Sequence, residues 1–311
     1  MKVAIIDLGT NTFNLLIAEV DAATFQVLFA TKEAVKIGEG GILNGLISED
    51  AMVRAMSALS GYSQTIESYG CEKVFAFGTS AMRDAKNAPD LVRQIREQLQ
   101  IEVQIISGQE EAQLIVEGVR LAVPMTEKPV LIMDIGGGST EFIIANNSSV
   151  FWKESYQLGV SRIRQLLQPE DPISPENLSS LDALLKSELV DMIVQCNALG
   201  VQSMVGSSGS FDSFIEMIWA EKGDTTDVKL ILTESFNLDA LAALNTKLLA
   251  GTFAERKAIP GLVEMRVDTI HIASFMVQWV LRHCQLIEVV LSTYALKEGV
   301  LARIMKGSSG I

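Results

Sequence analysis

Two aspartates, Asp7 and Asp134, each end an apolar run and are followed by glycine and small hydroxyl or amide residues. A carboxylate at a strand end positions a hydrated Mg2+, and turn amides facing the same space bind phosphate oxygens. A single Asp-x-Gly is usually no more than a tight hairpin turn. Here two copies stand in register. Ile6-Asp7-Leu8-Gly9-Thr10-Asn11-Thr12-Phe13-Asn14 lies over Met133-Asp134-Ile135-Gly136-Gly137-Gly138-Ser139-Thr140-Glu141, and the match continues through Ala18 and Ala145 without a gap. A repeat of this kind points to a duplicated unit and favours a clamp for a phosphorylated ligand. Gly136, Gly137 and Gly138, with Ser139 beside them, leave room for backbone to approach that ligand.

Hydrolysis of a phosphoanhydride also needs an oriented water and a group to take its proton. Ser107-Gly108-Gln109-Glu110 opens a helix with a capping-box pattern, so the Glu110 carboxylate is expected to fold back on the Ser107 amide. Glu111 is then free to point elsewhere and is the better candidate base, although both glutamates also complement the helix dipole. Glu141 starts the second strand of its hairpin, within reach of metal or water, where the first copy has Asn14. Arg83, Arg162 and Arg266 each offer a planar donor to phosphate, or simply a surface ion pair. Ser207-Ser208-Gly209, ahead of Ser210, reads either as an anion-attracting helix start or as a plain strand-to-helix connection. No glycine is followed by lysine, and no Gly-x-Gly-x-x-Gly is complete, so neither a Walker loop nor a Rossmann site is supported.

These residues need two lobes to hold them. At 311 residues and 48% hydrophobic, the chain is longer than one core usually serves, and the proline-bounded stretch 124–129 divides it into 1–123 and 124–311. The first part reads as a hairpin, a third strand over 27–35, a helix over 49–68, a strand over 73–77, a helix over 82–99 and a strand over 101–106. The helix opened by Ser107 follows. In the second part, helices are expected over 175–199, 210–221, 235–249 and 267–284, with strands at 202–205 and 286–291. The last helix, 295–306, is expected to pack back on the first lobe, and 307–310 reads as a flexible tail.

Composition removes several functions. A net charge of −13 argues against sequence-independent binding to nucleic acid. The apolar runs are far shorter than the ~20 residues a membrane span requires, and no signal peptide is legible, so a cytoplasmic protein is expected. Cys71, Cys196 and Cys284 lack the spacing of a disulfide framework or zinc site and read as small core residues. With His271 and His283 alone, a Ser-His-Asp relay has no material.

At these residues the sequence resembles the exopolyphosphatase/guanosine-pentaphosphate phosphohydrolase (Ppx/GppA phosphatase) family in its short, two-domain form. The resemblance is carried by Ala4–Thr12, Gly38-Glu39-Gly40, Thr79-Ser80-Ala81-Met82-Arg83, Ile106–Ala112, Asp134–Glu141 and Leu158-Gly159-Val160-Ser161-Arg162. It implies an α/β fold of two duplicated ribonuclease-H-like, actin-like ATPase domains with a cleft between the lobes. It further implies a Mg2+-dependent hydrolase releasing terminal phosphate from inorganic polyphosphate or guanosine pentaphosphate. Glu111 would be the base, with Asp134 and Glu141 toward the metal and Gly136 toward the phosphate; Asp7 joins the metal side on its own Asp-x-Gly loop. Thr10, Asn11 and Arg83 would form the phosphate face of the first lobe, and Ser207, Ser208 and Gly209 that of the second. A homodimer is expected on the resemblance alone. Two late motifs depart from the family pattern, Leu296-Lys297-Glu298-Gly299 and Met265-Arg266-Val267-Asp268. An actin-like kinase or ATPase, and a sensor that binds without turnover, are the competing readings.

Overall fold

The alternation of side chains along one strand sets the layout of the first lobe. In β1 (Lys2–Leu8), Ala4, Ile6 and Leu8 enter one apolar layer while Val3 and Ile5 enter another, and Asp7 lies at the far end of the second face. β1 pairs antiparallel with β2 (Phe13–Val20), and β2 with β3 (Phe25–Glu33). After α1 (Glu49–Tyr69), β4 (Lys73–Gly78) returns parallel to β1; α2 (Ser80–Asp84), α3 (Ala88–Leu99) and β5 (Val103–Ile105) follow. The sheet order is β3-β2-β1-β4-β5. These elements come from a computed structural model that describes residues 1–307, so the tail expected over 307–310 lies, apart from Gly307, outside the described residues.

α4 (Gly108–Ala122) leads into a second sheet with the same plan. β6 (Val130–Ile135), β7 (Thr140–Ala145) and β8 (Val150–Tyr156) form its meander. α5 (Val160–Leu167), α6 (Pro175–Glu188) and α7 (Val190–Ala198) precede β9 (Ser203–Ser207), which pairs parallel with β6. Then come α8 (Gly209–Glu221), β10 (Thr233–Ser235), α9 (Leu238–Ala250), α10 (Phe253–Lys257), α11 (Ile270–His283), β11 (Glu288–Ser292) and α12 (Leu296–Met305). The order β8-β7-β6-β9-β11 repeats the first sheet, with β10 added at the edge. The duplication extends to single residues. Asp7 faces Asn14 across its hairpin as Asp134 faces Glu141, and both second strands shift register at equivalent places, Ile17/Ala18 and Ile144/Ala145.

Some expected elements differ. The helix over 82–99 is two helices, because Asn87 turns aside to bond both the amide and carbonyl of Ile47, and α3 restarts with proline in its first turn. The helix over 175–199 breaks at Leu189, which is fully buried. The last long helix starts at Ile270, three residues later than expected, since Glu264–Arg266 form a 3-10 turn. Cys196 and Cys284 are buried against Met192, but Cys71 is only half-buried.

Three apolar layers result, one outside each sheet and one between them. The middle layer holds α4 and α12, packed on β1 and β2 from one side and on Ile132, Ile143 and Val205 from the other. Contacts run from Glu110 and Glu117 at Arg303 to Gly118 at Ala295, so the two helices are antiparallel. They cross at glycine. A Cβ on Gly118 would lie 1.9 Å from the Ala295 carbonyl oxygen, and one on Gly299 would lie 1.9 Å from that of Leu114. Neither backbone oxygen can retreat without moving a helix. Gly299→Val is therefore expected to destabilise the fold by about 3 kcal/mol through overpacking, read as a lower urea midpoint.

Candidate functional site

The ends of β1 and β6 bring Asp7 and Asp134 to a single cavity of about 780 Å3 between the lobes. Each aspartate sits two residues before a tight turn closed by the amide of Gly9 on Thr12 (3.1 Å) or of Gly136 on Ser139 (3.0 Å). Asp7 accepts a hydrogen bond from Asn14 Nδ2 (2.9 Å), and Asp134 accepts one from Ser207 Oγ (2.8 Å). Glu141, beside Asp134 on β7, accepts from Ser155 Oγ (2.7 Å).

Glu111 enters the same cavity from the first turn of α4. Ser107 caps that helix by accepting from the Glu110 amide (3.1 Å). The Glu110 carboxylate does not complete the expected capping box; it lies 3.7 Å from Arg303 on α12. Glu111, one position further round the helix, is 8% exposed and is held by Arg83 Nη1 at 3.0 Å.

Among the candidates, Asp7, Thr10, Asn11, Glu111, Asp134, Gly136, Gly137, Gly138, Ser139, Glu141, Ser208, Gly209 and Arg266 line the cavity. Arg83 and Ser207 stand behind it. Arg83 bridges Glu111 and the Ile106 carbonyl oxygen, and Ser207 is fully buried against Asp134, so each orients a carboxylate from outside the lining. Asn11 faces the cavity, but its Oδ1 accepts from Ser161 of the other lobe (2.7 Å). Arg266 donates to Ser213 Oγ (2.8 Å) and lies among Asp212 and Glu216. Arg162 is committed to Asp84 and the Gly138 carbonyl oxygen, which makes it an interlobe clamp.

Among the described residues, two hydroxyls at the cavity have no partner. Thr10 Oγ1 and Ser80 Oγ are buried without a hydrogen bond, an arrangement that costs free energy unless a ligand completes it. They flank Gly138 so closely that a Cβ there would lie 2.4 and 2.6 Å from them. Ser80, Lys297, Asp212 and Lys32 line the cavity although no sequence argument selected them as site residues. Ser80 belongs to the Thr79–Arg83 motif, and Lys297 to a motif that departs from the family pattern. For Asp212 and Lys32 there was no signal.

The electrostatics are those of crowded acids. Burial, joined by the charge of Glu141, pushes Glu111 well above the usual carboxylate range against the pull of Arg83. The same two causes push Asp134 up to about 7. Burial also raises Asp7 and Glu141. Lys297 answers them: burial alone would lower its pKa, yet Glu298, Asp7, Asp212 and Asp134 together raise it. Among the described residues, Asp7, Asp134 and Glu141 do not converge as a three-ligand metal cage. Each already has a protein hydrogen-bond donor.

A duplicated α/β unit with its reactive groups at the strand ends between two lobes defines the actin-like, ribonuclease-H-like class. No helix among the described residues is long and apolar enough to cross a membrane. The chain belongs to the Ppx/GppA phosphatase family, whose pattern matches residues 16–308. It is similar to a putative exopolyphosphatase of Haemophilus influenzae, 30% identical over 98% of this chain and 92% of that one. A crystal structure of an exopolyphosphatase from Cytophaga hutchinsonii superposes with a TM-score of 0.96 at 34% identity, covering 99% of this chain and 98% of that one. A guanosine-5'-triphosphate,3'-diphosphate pyrophosphatase of Photobacterium profundum is 30% identical over 71% of this chain and 44% of its own length.

Because Asp134 titrates higher in the fold than in the unfolded chain, its contribution to stability is present below about pH 4 and lost as pH rises through 7. In chelator, Tm should fall between pH 5 and pH 8. Asp134→Asn should reduce that fall and raise Tm at pH 8 by about 5 °C; an unchanged slope would remove Asp134 as its source.

Proposed function

We propose that the protein hydrolyses the terminal phosphoanhydride bond of inorganic polyphosphate or guanosine pentaphosphate, with Glu111 as general base. The observation that carries this reading is the placement of Glu111: buried, braced by Arg83, and facing the duplicated aspartate loops across one cavity. The names of the Haemophilus influenzae and Photobacterium profundum relatives support the two substrate classes.

In this reading the terminal phosphoryl group lies against the Gly136–Ser139 turn and takes hydrogen bonds from Thr10 and Ser80, whose hydroxyls have no protein partner. Glu111 holds a water in line with the scissile bond and accepts its proton on the carboxylate. A base raised above the ordinary glutamate range is better matched to neutral pH than an exposed one. Lys297 and the turn amides offset charge on the phosphoryl oxygens, and closure of the lobes keeps out bulk water. The donor set fits Mg2+ bound through its water shell, since Mg2+ takes one or two carboxylates and keeps several waters. Asp7 and Asp134 would hold it, with Glu141 beside them, and it would neutralise phosphate charge. The same ion would relieve repulsion among the buried carboxylates.

Phosphate release by purified protein, followed with polyphosphate and guanosine pentaphosphate in Mg2+, tests the assignment. Glu111→Gln should lower kcat at least about 100-fold, while Glu110→Gln, facing Arg303, should stay near wild type. Tight binding with no release by the wild-type protein would replace the hydrolase with a sensor.

A further inference from the structure

Arg266 reaches the cavity from a weak element. The motif Met265-Arg266-Val267-Asp268 lies on the 3-10 turn Glu264–Arg266 and the residues just after it, ahead of α11. A turn this short has poor hydrogen-bond geometry and does not hold itself in one orientation. Yet Arg266 is placed closely. Its guanidinium lies over Gly209, where any side chain would collide with it, and donates to Ser213 Oγ (2.8 Å). On the other side of Val267, Asp268 lies 3.9 Å from Lys36 of the first lobe and 3.4 Å from Arg164.

The polar anchor of the turn stands behind it. Arg256, on α10, is 2% exposed and does not line the cavity. Its Nε donates to the carbonyl oxygen of Val267, the residue between Arg266 and Asp268, at 3.1 Å. Its Nη1 donates to the Gly251 carbonyl oxygen at the end of α9 (2.6 Å) and pairs with Asp171 (2.8 Å). The other Asp171 oxygen accepts from the Phe253 amide at 2.6 Å. A guanidinium buried this deeply costs free energy unless its donors are filled. Here they join three segments of the second lobe. The Val267 side chain is fully buried, but apolar packing is not directional and fixes the depth of the turn more than the rotation of its peptide. The hydrogen bond from Arg256 sets that rotation. The pairs of Asp268 with Lys36 and Arg164 are partly exposed and contribute little.

We propose that Arg256 is a positioning residue for phosphate binding: by holding the Val267 carbonyl it fixes the turn that aims Arg266 into the cavity. It touches no ligand itself and acts through Arg266. The proposal deepens the hydrolase reading and rests on it for the phosphate that Arg266 meets.

A double-mutant cycle separates this role from simple support of the fold. Tripolyphosphate binding to the full Glu111→Gln chain with Mg2+, measured by calorimetry, serves as the readout without turnover. Arg256→Lys keeps the charge but loses the planar fork, and should weaken binding about tenfold, the usual size of an effect carried through one intervening contact. In the Arg266→Ala background the same substitution should change affinity less than about twofold. Asp171→Asn, which keeps the shape of the brace and removes its charge, should give the same pattern with a smaller loss, and serves should Arg256→Lys not fold. With Glu111 restored, Arg256→Lys should raise KM and leave kcat within about twofold, as for a residue acting on binding alone. An unchanged affinity, a loss that persists in full without Arg266, or no tripolyphosphate binding by the parent would overturn the assignment. Failure of the hydrolase reading shows separately, as tripolyphosphate binding with no phosphate release by the wild-type chain.

Discussion

The close crossing of α4 and α12 is the contact on which the site depends. Gly118 and Gly299 let two backbones meet where any side chain would force them apart. One apolar layer then serves both sheets, with Val3, Ile5 and Leu16 on one side and Ile132 and Ile143 on the other. The first turn of α4 delivers Glu111, and the first turn of α12 delivers Lys297 and Glu298, into the gap between the strand ends. The opposing charges at the carboxylates therefore come from two helices that cannot move independently. Arg303, shared by Glu117 and Glu110, fixes their relative rotation.

The duplicated hairpins bring equal geometry but unequal chemistry. In one copy the aspartate faces an amide, Asn14, which donates a hydrogen bond and adds no charge. In the other it faces Glu141, and the pair lies opposite Glu111 in a buried space. This asymmetry concentrates repulsion on the second copy, where a cation or a proton is most strongly drawn. The lobes are also clasped at the front. Ser161 donates to Asn11, Gln165 donates to the Gly38 carbonyl oxygen, and Arg162 pairs with Asp84. A polyanion entering this space meets a first lobe already docked on the Gly136–Ser139 turn. Thr10 and Ser80 are left as the unsatisfied donors.

The repeat was legible in sequence because hairpin strands and turn glycines are local features. The equivalence of Asp7 with Asp134 carried directly into matching sheets, down to the same bulge. Glu111 was separable from Glu110 by position, but for a reason only partly right. Glu110 is drawn off by Arg303, nearly two hundred positions away, and no local capping rule sees that partner. Ser207 and Arg83 have the residue types of phosphate ligands, yet they orient carboxylates from behind, which depends on tertiary depth. Lys32 and Asp212 carried no signal because they reach the cavity only through sheet register and helix packing. The breaks at Ala85–Asn87 and Leu189 are also tertiary in origin. Asn87 leaves the helix to bond Ile47, and Leu189 is pinned in the second core.

The central claim is that Glu111 faces a phosphoryl group bound between the two duplicated turns. The most direct measurement is a crystal structure of the Glu111→Gln chain soaked with Mg2+ and tripolyphosphate. A terminal phosphoryl group against the Gly136–Ser139 turn, bonded by Thr10 and Ser80 and separated from residue 111 by one water, is the predicted result. Phosphate bound outside the cleft, or residue 111 turned away from it, would contradict the account.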